Sequence, residues 1–169
     1  MSARVKWVEK KFDFDFPAAD YPKIIGRLRE GPDRFAEAVE GLSEEVLRRK
    51  PGGVWSIKEN VGHMTNVELL FDGRLDDYEA GLSELRPADM SNCRTEKSDY
   101  NDLSLELLLG LFRTARLQTL KRLEAYPPEA FGKAAFHRRL GVQKRLVDTM
   151  FFFAEHDEHH LATINGLKR

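Results

Sequence analysis

Three of the five histidines of this chain fall within five residues, at positions 156, 159 and 160. His156 and His160 are four residues apart, so on a helix they lie one turn apart on the same face. Two imidazoles at this spacing form a pair of ligands for a divalent transition metal. The sequence therefore contains the core of a metal site near its C-terminal end.

The segment that carries this pair is predicted to be a helix from about Val142 to Leu167. Projected at 100° per residue, His156 and His160 fall within its apolar stripe, whereas His159 falls on the polar side. A buried imidazole pair needs partners for its ring nitrogens, because an unsatisfied buried polar group costs about 1–3 kcal/mol. A shared metal would satisfy both rings.

Two ligands rarely make a stable site, so a third is expected from elsewhere in the chain. His63 follows the capping box Ser56-Ile57-Lys58-Glu59 and borders the apolar stripe of a second helix. His137 lies in the basic stretch Phe136-His137-Arg138-Arg139 and is expected to be solvated. The predicted metal ligands are therefore His63, His156 and His160.

Four helical segments are predicted to position these histidines. The first covers 21–42, and the pair Gly31-Pro32 is expected to kink it or split it. The second runs over 56–81 from its capping box, the third over 104–126, and the fourth over 142–167. Almost no strand is expected, so the fold class is an all-α four-helix bundle.

The chain between the second and third helices sets the topology. His63 lies near the start of its helix, whereas His156 and His160 lie in the second half of theirs. The three come level most easily if the two helices run antiparallel, which a simple up-down-up-down bundle does not allow. Residues 83–103 can span up to roughly 70 Å when extended, against roughly 40 Å for a helix to be retraced. The prediction is an up-down-down-up bundle with one long crossover between helices two and three.

Length and composition indicate one domain and no macromolecular footprint. The 169 residues suffice for a full core, with residues 1–17 predicted to be an extended N-terminal arm that carries three phenylalanines on one side. The net charge of −1, without a basic block, predicts no nucleic acid and no membrane as partner. One cysteine, Cys93, fits a reducing compartment, and a cytoplasmic location is expected.

Two segments carry a family resemblance. Trp55–His63, with the sequence WSIKENVGH, together with Ala154–Ile164, with the sequence AEHDEHHLATI, resembles the DinB-like superfamily. That group includes bacillithiol-dependent transferases and is similar to mycothiol-dependent maleylpyruvate isomerases. The resemblance covers about residues 15–167. It implies an up-down-down-up bundle and a homodimer, with zinc or nickel at His63, His156 and His160.

The resemblance also implies transfer of a low-molecular-weight thiol to a small electrophile, although no motif fixes either reactant. Three neutral imidazoles leave a position for water or substrate, so hydrolysis or isomerisation of a small molecule is a related expectation. A non-catalytic metal-binding stress-response or sensor protein is the alternative, and a structural bundle with packed histidines is the third. No catalytic residue is assigned.

Other residues near the predicted site have weaker claims to function. Glu59 and Arg74 lie on the side of His63, and Arg74 is suited to an anionic substrate, but a structural ion pair explains it equally well. Cys93 is expected to be an ordinary loop residue. A second apolar strip on the fourth helix predicts packing against two neighbours, the N-terminal arm or first helix and a second subunit.

Overall fold

The computed structural model describes residues 6–169, in which helices dominate. The helices are α1 (Tyr21–Val39), α2 (Glu44–Arg48), α3 (Ile57–Glu79), α4 (Cys93–Glu96), α5 (Leu105–Glu124) and α6 (Leu146–Leu167). The strands β1 (Ala134–His137) and β2 (Val142–Arg145) form an antiparallel hairpin. The four long helices α1, α3, α5 and α6 pack as the predicted four-helix bundle. In the described residues no helix is long and apolar enough to cross a membrane.

Side-chain contacts fix the directions of the two helices that carry the histidines. His63, near the start of α3, lies beside His160, near the end of α6. At the opposite end of α3, the Tyr78 hydroxyl lies 2.7 Å from Thr149 Oγ1, in the first turn of α6. These two helices are therefore antiparallel, as the prediction that His63 lies level with His156 and His160 requires.

The long connection predicted over 83–103 is the crossover of the bundle. It leaves the C-terminal end of α3 and runs back along that helix, so that Thr95 of the short helix α4 contacts His63. Asn66 on α3 donates a 2.9 Å hydrogen bond to the hydroxyl of Tyr100 in the same connection. The next long helix, α5, then runs parallel to α3, as the ion pairs of Glu68 with Arg116 and of Asp76 with Arg122 show.

The start of the fourth long helix is predicted four residues too early. Residues 142–145 form strand β2, and α6 begins at Leu146. The hairpin closes through Gly141, whose φ of 66° lies in the left-handed region that glycine adopts without strain. Asp148 then holds the start of α6 by accepting hydrogen bonds from the backbone and side chain of Arg145. A short strand with one buried residue resembles a helix start in sequence.

The Gly31-Pro32 pair does not split the first helix, because α1 is continuous through it. A proline in a helix leaves the carbonyl four residues earlier without its N–H partner. Here that carbonyl belongs to Leu28, and it accepts a 2.7 Å hydrogen bond from Nη1 of the buried Arg116. The lost helix bond is thus replaced from α5.

The N-terminal arm packs against α6 with its aromatic side chains. Phe12 and Trp7 contact the ring of Phe152, and Phe16 contacts Phe151. Arg145 fastens the arm by donating to the carbonyls of two of its phenylalanines. The second apolar strip of α6 is thus covered within the chain. The homodimer stays a prediction, as does the arm's structure before residue 6.

Candidate metal centre

The three predicted histidines come together at one end of the bundle. One ring nitrogen from each of His63, His156 and His160 lies within 4.8 Å of the others. The ring centroids of His156 and His160 are 4.4 Å apart. The centroid of His63 lies 4.9 Å from that of His160 and 5.5 Å from that of His156. All three residues are buried. The cluster joins α3 and α6. Its nearest ligands on these two helices, His63 and His156, are 93 residues apart in sequence (156 minus 63).

The first turn of α3 places His63 and supports a second member of the cluster. The predicted capping box is present: Ser56 Oγ accepts from the Glu59 amide, and the Glu59 carboxylate accepts from the Ser56 amide. Asn60, one residue later, donates through Nδ2 to the carbonyls of Trp55 and Ser56. Because these bonds fix which end of the amide is the nitrogen, Oδ1 must face His160.

The contact between Asn60 and His160 sets the tautomer of the imidazole. His160 Nδ1 lies 2.8 Å from Asn60 Oδ1, which accepts but does not donate. His160 therefore carries a proton on Nδ1, and in the neutral ring this leaves Nε2 unprotonated. Such an outer hydrogen bond is the usual support of a metal-binding histidine.

His63 receives comparable support from the crossover. Its Nδ1 lies 2.9 Å from Thr95 Oγ1, which also accepts a 3.1 Å bond from Asn66 Nδ2. The hydroxyl can accept from both groups through its two lone pairs. This arrangement again leaves Nε2 as the ring nitrogen available to a ligand.

His156 is the member that the protein leaves unsatisfied. Among the described residues, only four buried side-chain nitrogen or oxygen atoms have no hydrogen-bond partner, and His156 Nδ1 is one of them. A buried polar group in that condition costs about 1–3 kcal/mol. A cation shared by three imidazoles would offset that cost, and an all-nitrogen donor set suits zinc or nickel better than magnesium or calcium.

The protonation of the histidines also favours a bound transition metal. Burial lowers the pKa of His63 from 6.5 to about 4, with a smaller contribution from His159. Burial also lowers the pKa of His156 well below its ordinary value, and the neighbouring His63 adds to that effect. Both rings are therefore neutral at pH 7, which is the form that binds a metal.

Two tryptophans enclose the cluster. Trp55, just before the helix cap, lies with its ring centroid 4.8 Å from that of His63 and stacks at 6.4 Å on His160. Trp7 of the N-terminal arm contacts His156 edge-on at 4.8 Å. The aromatic walls exclude water from most of the imidazole surface, which strengthens electrostatic interactions inside.

A pocket of about 740 Å³ opens at the cluster. All three histidines line it, together with both tryptophans. On the side formed by α3 and α6 the wall includes the apolar Val67, Leu70, Phe152 and Phe153, whereas the crossover contributes polar residues such as Asp89, Arg94 and Glu96. The far end is lined by Arg74, His137 and Arg139. A volume of this size suits a small molecule that reaches the cluster with one end.

The structure corrects one prediction about the histidines and refines another. His137 is not solvated: only 5% of its surface is exposed, because strand β1 turns it inward. Burial lowers its pKa to about 3, and Lys144 and Arg74 add to the effect. His159 is not in the three-histidine cluster, as predicted, but it lines the pocket and contacts Trp7.

The other residues considered near the predicted site, Glu59, Arg74 and Cys93, have different surroundings. Glu59 serves in the capping box and accepts a hydrogen bond from Lys50. Arg74 is 1% exposed and lines the pocket. Cys93 is partly buried in the crossover, outside the pocket lining.

Sequence reasoning missed the residues that orient the imidazoles. Asn60 lies one turn of helix before His63, a spacing that places it beside the cluster and was available in the sequence. Thr95 lies on α4, a helix of only four residues in the crossover, which is too short for a periodicity to indicate which of its side chains meets His63. The two tryptophans likewise come from a loop and from the arm.

Comparisons with known proteins identify the family and the fold. The model of the DinB superfamily matches residues 27–164. A "putative metal-dependent hydrolase" of Bacillus licheniformis is 26% identical over 152 residues, covering 87% of this chain and 84% of that protein. Another, from Geobacillus thermodenitrificans, is 26% identical over 159 residues, covering 91% of this chain and 87% of that protein.

A solved structure shares the fold. YfiT from Bacillus subtilis, described as a "probable metal-dependent hydrolase with an unusual four-helix bundle topology", superposes with a TM-score of 0.77. The match covers 95% of this chain and 92% of YfiT at 20% identity. The likeness at that identity concerns the fold alone. The family match, which spans most of the chain, shows that this protein belongs to the DinB superfamily.

Proposed function

We propose that this protein is a metal-dependent hydrolase of small molecules, with His63, His156 and His160 as the ligands of a divalent transition metal. The observation that carries the proposal is the cluster itself: three buried imidazoles close together at one end of a pocket. We take zinc or nickel as the metal, because imidazole nitrogens suit both better than they suit magnesium or calcium. The names of the two relatives support metal dependence and hydrolysis.

When bound, the metal supplies Lewis-acid chemistry and a lowered pKa for a nucleophile such as water. The chain supplies the orientation. Asn60 and Thr95 hold the rings of His160 and His63 through Nδ1, so that Nε2 of each faces away from the supporting bond. Three protein ligands leave a position open, which is the arrangement of catalytic rather than structural zinc sites.

Transfer of a low-molecular-weight thiol is a second candidate, supported by the character of the pocket wall. Its two acidic residues, Asp89 and Glu96, both belong to the exposed crossover. Asp89 accepts hydrogen bonds from Ser91 and Cys93, and Glu96 accepts one from the Trp55 indole. A thiol ionises at a metal without a separate general base, whereas hydrolysis usually employs one. This composition of the wall favours the thiol.

Metal content tests the ligand assignment. The full chain, purified without a histidine tag, is expected to hold about one zinc or nickel ion per chain. His160→Ala should lose most of that metal because it removes a ligand, whereas the adjacent His159→Ala should retain it. Equal metal content in the two variants, or none in the wild type, would contradict the assignment.

Turnover tests the reaction. The metal-loaded protein is assayed against activated esters and amides, and against small electrophiles with and without added low-molecular-weight thiols. Chelator-sensitive cleavage without thiol supports the hydrolase, and chelator-sensitive conjugation that requires thiol supports the transferase. Full metal content without either activity favours a non-catalytic metal-binding protein.

A further inference from the structure

The end of the pocket away from the histidine cluster carries two arginines and a histidine whose pKa burial lowers to about 3. Arg74, His137 and Arg139 line it. Arg74 follows His63 on α3 by eleven residues, or roughly 16 Å along the helix axis. The pocket therefore has a cluster of metal-ligating type at one end, an apolar middle and a cationic far end.

Arg74 is buried without a carboxylate partner. Its Nε and Nη2 donate long hydrogen bonds, of 3.3 Å and 3.2 Å, to the carbonyl of Arg86, and Nη1 has no partner among the described residues. The nearby carboxylate of Asp77 is already taken by Arg86, which binds it through both side chain and backbone. A buried guanidinium in this condition lacks the anion that normally compensates it.

Lys144 is a second buried basic group without a hydrogen-bond partner, and it lies behind the pocket wall. It is fully buried, and its Nζ has no hydrogen-bond partner among the described residues. It lies 4.0 Å from the centroid of Phe152, a pocket-lining ring. The neighbouring Asp148 is paired with Arg145. Burial and the proximity of Arg74 lower the pKa of Lys144 well below its ordinary value.

Elsewhere in the described chain, buried cations have carboxylate partners. Arg116 is bound by Glu68 and Asp157, and Lys58, which is 3% exposed, is bound by Glu44. The missing anion is therefore a local property of the far end of the pocket. Three of the four unpartnered buried polar atoms, Nη1 of Arg74, Nζ of Lys144 and Nδ1 of His156, belong to the pocket or the residues behind its wall.

We propose that this far end binds a carboxylate of the substrate, with Arg74 as its principal donor and Arg139 at its rim. Nη1 of Arg74 has no hydrogen-bond partner, and charge-assisted hydrogen bonds from an arginine to a carboxylate are strong. Val67, Leu70, Phe152 and Phe153 line the space between, so the substrate class is an elongated carboxylate with an apolar middle. This inference rests on the proposed function, because the opposite end of the same molecule would react at the histidine cluster.

A pair of probes that differ only in charge tests the proposal. Hexanoate and hexanamide are titrated calorimetrically into the full chain, both zinc-loaded and after chelation. Hexanoate is expected to bind at least tenfold more tightly than hexanamide in both states. Arg74→Gln should remove this preference, and Arg139→Gln should reduce it several-fold.

Arg138→Gln is the matched control. Arg138 adjoins Arg139 in sequence but pairs with Glu84 and lies outside the pocket lining, so the preference should be unchanged. If Arg74→Gln fails to fold, as its melting curve would reveal, the contrast between positions 138 and 139 decides the question.

The results separate this inference from the proposed function. Equal binding of the two probes, or full preference in both Arg74→Gln and Arg139→Gln, overturns the anion site. A preference that disappears on chelation places the carboxylate at the metal, and this too overturns the anion site while supporting the metal. A preference that persists in a chain that binds no zinc supports the anion site and refutes the metal centre.

Discussion

His156 and Asp157 are neighbours on α6, yet they belong to buried polar clusters of opposite construction. Asp157 accepts two hydrogen bonds from Arg116, which also binds Glu68 and the carbonyl of Leu28. Every N–H group of that guanidinium has a partner. His156, by contrast, retains a ring nitrogen without any partner in the described chain.

This difference separates a cluster that stabilises the fold from a cluster that is available to bind a metal. The Arg116 cluster ties α1, α3, α5 and α6 together and replaces the helix bond that Pro32 removes. The histidine cluster lies at a pocket and consists of rings that the protein orients, with one ring nitrogen of His156 left without a hydrogen-bond partner. Unsatisfied buried groups of this kind mark functional sites.

Removal of Arg116 should cause the largest loss in the free energy of unfolding. Arg116→Met leaves two buried carboxylates unpaired, and we expect the free energy of unfolding to fall by about 3–5 kcal/mol. Arg113→Met, on the same helix, removes only an exposed partner of Asp33 and should cost less than about 1 kcal/mol. Urea unfolding measures both. Similar small losses would show that the cluster is not structural.

The histidine cluster should reveal itself in the pH dependence of the metal-free chain. His63 takes up its proton at about pH 4 when folded but near pH 6.5 when unfolded, so the unfolded chain binds more protons between these values. The free energy of unfolding should therefore fall as the pH falls from 6.5 to 4, by up to about 3 kcal/mol from this residue. His63→Gln should flatten the profile. An unchanged profile in that variant would contradict the assigned pKa.

A methyl group added at Gly31 should disturb the structural cluster alone. A Cβ there would lie 2.6 Å from Asp157 Oδ2 and 2.8 Å from Arg116 Nη1. We expect Gly31→Ala to lower the free energy of unfolding by about 2 kcal/mol. Gly26→Ala, in the same helix with open space around it, should instead stabilise the chain by up to about 1 kcal/mol. Thermal melting that ranks the two variants the other way would refute the close packing.

The smallest expected effect concerns the support of one imidazole. Thr95→Val removes the hydroxyl that orients His63, and we expect zinc affinity to fall about tenfold. Thr65→Val is the matched control, because that buried hydroxyl has no hydrogen-bond partner in the described chain and lies outside the pocket. Competition with a chromogenic chelator measures both affinities. Equal zinc affinities in the two variants would show that Thr95 does not support zinc binding.

Much of this architecture was readable from the sequence, for identifiable physical reasons. The capping box fixes the start of α3, and the spacing of His156 and His160 selects one face of α6. The level of His63 then requires the crossover, which the fold confirms. Local patterns of this kind are set by helix geometry alone.

The errors fall where distant contacts decide the outcome. Pro32 remains inside α1 because Arg116, 84 residues later, binds the vacated carbonyl, as 116 minus 32 gives. His137 is buried because the hairpin pairs it with Val142, a pairing that a basic, glycine-containing stretch hides. Thr95 contacts His63 from α4, which is too short to show a periodicity in the sequence.

X-ray absorption at the zinc edge of the loaded, untagged chain tests the central claim most directly. We expect three imidazole nitrogens at about 2.0–2.1 Å from zinc in the wild type and in His159→Ala, and a lost or altered shell in His160→Ala. A wild-type shell with fewer than three imidazoles, or one that His160→Ala leaves unchanged, would contradict it.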